Sequence, residues 1–304
     1  MPITVITMIN TTTTAATKQR FEVDGRCMDC QFKTFEKLLD AHKVNYKERQ
    51  EFFGFYNLTM GRKYNLTMPE IHSELNDEFC RITGITDIYS KEKQKSNAVA
   101  LELYDQLKPE VLISSDPFNM ALRLSIAGNI MDYGLSTEFD IHKTIDKVLN
   151  SDFAIDHSIQ LKQAIQKAKK IVYLGDNAGE IVFDKMLIEL MIHPNVTYVV
   201  RGAAVINDAT REDAKTVGME LVADVIDNGS KVPSTVLSTC SPEFLKTYNE
   251  ADLIISKGQG NFEGLMYEND PRIFFLLMVK CEVVAERIGV EKGNFVVFNN
   301  SLLN

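Results

Sequence analysis

The chain is 304 residues long, 45% apolar and 25% charged, with a formal charge of -9. That length exceeds what one compact core usually holds, so one large domain, or two unequal units sharing a cleft, is expected. The acidic balance disfavours the electrostatic attraction on which non-specific nucleic-acid binding rests, and no low-complexity run suggests global disorder, so a small-molecule partner fits better.

Met1 to Thr17 carries a weak apolar stretch and the run Thr11-Thr12-Thr13-Thr14, with no basic residue ahead of it. It does not read as a secretory signal, and a flexible leader over 1–25 is expected. No segment offers the uninterrupted apolar span of about 20 residues that a membrane helix needs, so a cytoplasmic location is expected. Five cysteines, an odd number, suit reduced thiols better than a disulfide framework. Cys27-Met28-Asp29-Cys30 has the spacing of half a zinc site, but no second pair follows. A second metal at Cys27 and Cys30, a redox pair and a plain structural role all stay open. Cys80, Cys240 and Cys281 read as buried small residues, and the five histidines show no metal-binding spacing.

From Cys27 to about Lys170 the pattern is helical, giving an expected helical unit over 26–165. Thr67-Met68-Pro69-Glu70 has the form of a capping box, and Asp116-Pro117 that of an N-cap followed by Pro, with Gly134 a plausible stop. In the helix after Asp116, Ser125, Asn129 and Asp132 fall at i, i+4 and i+7, a narrow polar stripe among apolar residues. A solvated face is one reading. The apolar surroundings favour the other, a cleft wall.

From Ile171 onward short apolar runs alternate with helical patterns: IVYLG, VTYVV, LVADVI, DLIIS, IFFLLMV and FVVFN. Runs apolar on both faces suit buried parallel strands, so a Rossmann-like, doubly wound, mostly parallel α/β sheet is expected over 166–304. In such sheets ligands collect beyond the carboxyl ends of the strands. There the sequence places Asp176-Asn177-Ala178-Gly179-Glu180, Asn207-Asp208-Ala209-Thr210 and Lys257-Gly258-Gln259-Gly260-Asn261. Carboxylate and amide oxygens suit a hard cation, glycines let backbone approach an anion, and an ammonium neutralises phosphate. Taken singly, the acids could be helix caps and the lysine a surface residue of an ordinary turn.

Together and in this order, SIAGNIMD, GDNAGE, INDAT and KGQGN resemble the motifs of the damage-control phosphatase family, formerly domain of unknown function 89. The likeness runs from about Cys27 to the C-terminus, and the early Cys-x-x-Cys is similar to its short prokaryotic branch. The resemblance implies a phosphatase that removes phosphate from sugar phosphates and related or damaged metabolites with a divalent cation. By resemblance the metal ligands are Asp176, Asn177 and Asp208, and Lys257 meets the phosphate. The substrate-facing set is Ser125, Asn129, Asp132, Gly179, Glu180, Lys257, Gly258 and Asn261. Mg²⁺ or Mn²⁺ is the expected cation, with Co²⁺ or Ni²⁺ also compatible with an oxygen-rich site.

Water is the preferred nucleophile, with Asp132 helping to remove its proton, ahead of a covalent aspartyl-phosphate on Asp176. The rival enzyme reading is an S-adenosylmethionine-dependent carboxyl methyltransferase, as proposed for eukaryotic relatives. Against it, GDNAG replaces Gly-x-Gly-x-x-Gly, and Arg201 stands where a ribose-binding acid would be. A protein that binds metal or metabolite without turnover is the non-enzymatic alternative.

Overall fold

The structure, a computed structural model, describes residues 23–62, 66–128, 149 and 151–302. The leader expected over 1–25 lies outside the described residues up to position 22, and so does Gly134. Three helices come first among the described residues: α1 (Gly25–Ala41), α2 (Tyr46–Met60) and α3 (Met68–Thr83). Their starts are chemically marked. Asp24 caps α1, Asn45 and Glu48 form a capping box on α2, and Thr67 and Glu70 form the expected one on α3. Between them they bury Phe35, Leu39, Phe52, Ile71, Leu75 and Phe79 in a core of their own.

His72 sits in this layer, 8% exposed, with Nδ1 donating to Gln31 Oε1 at 2.7 Å and its ring against Phe35. Burial holds its pKa down to about 4, against an ordinary 6.5. The unfolded chain therefore binds the proton first, and the stability involved is present above about pH 6.5 and lost as pH falls through 4. Between about pH 7.5 and about pH 5 the native protein is expected to lose about 2 kcal/mol through this group. Urea unfolding at both pH values checks this, because His72→Gln should remove that part of the loss. An equal loss in the variant would assign the acid sensitivity elsewhere.

Helices α4 (Ser90–Ile113) and α5 (Pro117–Ala127) follow, α5 beginning at the expected Asp116-Pro117 cap. They do not join the first three. Ala100, Leu103, Val111, Leu122, Leu124 and Ile126 pack into one core with a sheet face instead. The helical rhythm of the first half thus serves two cores.

Among the described residues the sheet has seven strands: β1 (Ile155–Asp156), β2 (Ile171–Leu174), β3 (Val196–Val200), β4 (Asp224–Asp227), β5 (Leu253–Lys257), β6 (Ile273–Met278) and β7 (Phe295–Phe298). Their spatial order is β1-β7-β6-β5-β2-β3-β4, all neighbours parallel except β6 and β7. Every apolar run named above supplies a strand. The β1 strand is the addition: two residues, inside the stretch read as helical, pairing with Val296 and Val297.

Between strands run α6 (Ser158–Lys167), α7 (Glu180–Met191), α8 (Arg211–Thr216), α9 (Pro242–Glu250), α10 (Gly258–Leu265) and α11 (Glu282–Ile288). Alternate strand residues face opposite sides. Ile171, Tyr173, Tyr198 and Ile255 meet α4 to α7, whereas Val172, Leu174, Ile254 and Phe275 meet α9 to α11. The sheet is therefore wound on both faces. From β2 the chain progresses one way to β3 and β4, and from β5 the other way to β6, so strand order reverses between β2 and β5. The crevice beyond that reversal is where ligands bind in open α/β sheets. Among the described residues no helix is long and apolar enough to cross a membrane.

Candidate active site

The residues after β2, β3 and β5 meet at this crevice. Asn177 and Asp208 form an isolated antiparallel bridge, closed by Ala178 N–H to Asn207 O at 2.9 Å and Ala209 N–H to Asp176 O at 2.8 Å. Backbone pairing thus joins the two acidic segments, and Asp176, Asn177 and Asp208 are all buried. They do not cap the helices that follow them: α7 starts from Gly179 and α8 from a Thr210–Asp213 capping box.

Arg201, immediately after β3, lies between the acids. Its guanidinium donates to Asp208 Oδ2 at 2.5 Å and Asn261 Oδ1 at 2.9 Å, and stands 3.9 Å from Asp176 Oδ1. Sequence reasoning weighed Arg201 only as an argument against a ribose site. Its position directly after a strand, matching that of the acids after β2, was the available signal.

KGQGN, read as a glycine-loosened loop, opens helix α10. Gly258 makes the turn at φ +76°, and an added Cβ there would lie 1.8 Å from Asp176 Oδ2. Its glycine is required by the carboxylate beside it. The first amides of α10, which have no acceptor within the helix, belong to the residues that follow this close approach to Asp176. Gly179 also has positive φ, +78°, but it backs onto α4, where an added Cβ would lie 2.9 Å from Ser96 Cβ. Its N–H donates to Asn97 Oδ1 at 2.7 Å, so an anion is not what it approaches.

Asn261, expected against substrate, is engaged by protein on all sides. Its amide donates to Gly175 O and Lys257 O and accepts from Arg201 and Thr235. It latches the ends of β2 and β5 to Arg201.

Lys257 differs most from expectation. Neither on the surface nor open to the crevice, it is wholly buried, and Nζ donates to Ser125 O at 2.8 Å, Glu180 Oε1 at 2.5 Å and Asp184 Oδ1 at 2.6 Å. An ammonium has three protons, and three protein acceptors receive them. Burial pulls the Lys257 pKa down, but Asp184 and Glu180 outweigh it and hold it up at about 12. Glu180 is pushed up to about 8 by burial, against the pull of Lys257 and with Asp176 and Asp184 adding to the rise. Its other oxygen receives a long contact, 3.4 Å, from the Asn177 amide, which also reaches Asp176 Oδ2 at 3.2 Å. Glu180 thus links the lysine to the acid-amide pair.

Of the polar stripe, Ser125 is buried, not solvated, with its hydroxyl on Leu122 O and its carbonyl on Lys257. Asn129 and Asp132 lie outside the described residues. Tyr173, Tyr198, Thr235 and Asp184 were not singled out in the sequence. An acid at i+4 from Glu180, inside the apolar stretch of α7, was the legible hint of the last.

Four buried carboxylates, Asp176, Glu180, Asp184 and Asp208, face two buried cations, Arg201 and Lys257. That negative excess, with oxygen donors at its centre, fits a divalent cation held by Asp176, Asn177 and Asp208. The Cys-x-x-Cys pair fits one less well. Cys27 is half-buried, Cys30 exposed, and all five cysteines are free. Among the described residues no group of three or more His, Cys, Asp or Glu is placed to hold a metal.

Residues 23–296 match the Damage-control phosphatase ARMT1-like domain. The chain belongs to this family. A damage-control phosphatase of Pyrococcus horikoshii is 34% identical over 286 residues, covering 92% of this chain and 98% of its own. One from Archaeoglobus fulgidus is 36% identical over 222 residues, 71% of this chain and 76% of its own. The crystal structure of a DUF89 family protein from Pyrococcus horikoshii superposes with a TM-score of 0.85 at 32% identity, covering 92% of this chain and 99% of that one. The mostly parallel sheet and the helical region before it are thus those of a damage-control phosphatase.

Proposed function

We propose that this damage-control phosphatase hydrolyses phosphomonoesters of small metabolites, sugar phosphates or damaged phosphometabolites, with a divalent cation held by Asp176, Asn177 and Asp208. The observation that carries the reading is the backbone bridge that sets the Asp176-Asn177 pair beside Asp208, at the crevice where strand order reverses. When bound there, a cation supplies charge withdrawal from a phosphoryl oxygen.

The chain's own residues do the rest. The Arg201 guanidinium and the first amides of α10 are preorganised positive groups beside Asp176, suited to the charge of a phosphoryl group. For Lys257 to reach a phosphoryl oxygen it must exchange one of its three acceptors. Glu180, whose carboxylate is shared with the Asn177 amide across a long contact, is the partner released at least cost. Water attacks phosphorus in line, Asp132 is assigned as the group that takes its proton, and the ester P–O bond opposite breaks so that the metabolite leaves as its alcohol with a proton from solvent. A phosphoaspartate trapped on Asp176 would reverse that order.

The test is a phosphate-release screen over sugar phosphates and nucleotides with Mg²⁺, Mn²⁺, Co²⁺ or Ni²⁺, and after chelation. Release is expected with at least one metal and to fall at least about a hundredfold on chelation, restored by re-addition. Equal release in chelator would end the metal assignment. Methyl transfer from labelled S-adenosylmethionine with no phosphate release would end the hydrolytic one.

A further inference from the structure

We infer that Asp184, clamped by Tyr173 and Tyr198, is the positioning residue that holds Lys257 in place for the reaction; the kinetic consequence rests on the phosphatase reading above. Asp184 lies one turn beyond Glu180 on α7 and has no exposed surface. Oδ1 accepts from Tyr173 at 2.7 Å and from Lys257 at 2.6 Å, and Oδ2 accepts from Tyr198 at 2.9 Å. Both oxygens are therefore fixed by donors that do not belong to the crevice.

The clamp is built into the sheet. Tyr173 and Tyr198 are register partners on adjacent strands, their rings stacked with centroids 5.3 Å apart, so their hydroxyls arrive side by side. Burial and the Asp184 charge hold both phenols well above their ordinary pKa, so they remain donors. Gly175 makes room: a Cβ at that position would lie 2.4 Å from the Tyr198 hydroxyl.

The two acids on Lys257 are thus unequal. Glu180 is shared with Asn177 across a long contact, whereas Asp184 is bonded on both oxygens and stands apart from the acid-amide pair. A phosphoryl group that draws Lys257 displaces Glu180 and leaves Asp184 in place. Stability alone is a poor reason for this arrangement, because a buried ion pair generally adds little over an apolar packing of the same volume.

The test compares phosphate release and melting temperature for the native chain, Asp184→Asn, Lys257→Met and the double variant. Asp184→Asn is expected to lower kcat about a hundredfold with KM within about threefold, and to cost less than about twofold in the Lys257→Met background. Losses that multiply, or a native-like kcat in Asp184→Asn, would overturn the inference. If Lys257→Met is silent, the Tyr173→Phe, Tyr198→Phe double variant decides, since it keeps every charge and removes only the clamp. A kcat loss of about tenfold at unchanged KM supports positioning; unchanged kcat overturns it. If the native chain releases no phosphate, the phosphatase reading fails on its own. The four melting temperatures then judge the anchor: coupled Asp184 and Lys257 losses keep it, and additive losses remove it.

Discussion

Asp176→Ala is expected to lower kcat for phosphate release by about three orders of magnitude while leaving the protein folded. The loss follows from the position of Asp176, between the Asn177 amide, the Arg201 guanidinium and the start of α10. The fold survives for a separate reason. The segment is held through main-chain bonds, Ala209 N–H to Asp176 O and Ala178 N–H to Asn207 O, which alanine keeps. Removing one carboxylate also relieves a buried cluster with more acids than cations. Added Mn²⁺ or Mg²⁺ should raise the melting temperature of the native chain and leave that of the variant unmoved, because a ligand stabilises only the state that binds it. Equal metal stabilisation of both proteins would move the cation away from Asp176.

Gly258→Ala is the second large effect. Alanine at φ +76° carries the steric penalty of the left-handed region, and its methyl would fall within bonding distance of the Asp176 carboxylate. A stability loss of about 1–3 kcal/mol is expected, with phosphate release reduced at least about a hundredfold because the carboxylate must move. Gly289→Ala is the control. Its φ of +80° is similar, but nothing lies within 4 Å of an added Cβ. It should show the backbone penalty without the loss of activity, as urea unfolding and steady-state kinetics on the two variants would report. Equal activity in both would remove the close approach at Asp176 from the account.

Much of the fold was legible because buried parallel strands advertise themselves. IVYL, VTYVV and the LII of DLIIS are apolar on both faces almost throughout, and each lies in a strand. The β1 strand escaped because Ile155–Asp156 is too short to show a period and owes its pairing to β7, far along the chain. KGQGN read as a loop because glycine is a poor helix former. What local propensity does not contain is the α10 helix that follows Gly258 and packs Phe262 and Leu265 into the core.

The site divides along the same line. By itself the sequence determined the six longer strands, the polar residues at their ends and the chemistry those residues carry, since all are local properties of a short stretch. Tertiary structure alone decided the partners. Only the placing of β5 beside β2 brings Gly258 against Asp176, and only the packing of α7 on the sheet directs Lys257 inward to Glu180 and Asp184. The buried ammonium settles where acceptors satisfy all three of its protons, because an unpaired charge in that interior costs more than any single contact gains. Those acceptors come from α5 and α7, and no reading of Lys257 within its own strand could have supplied them.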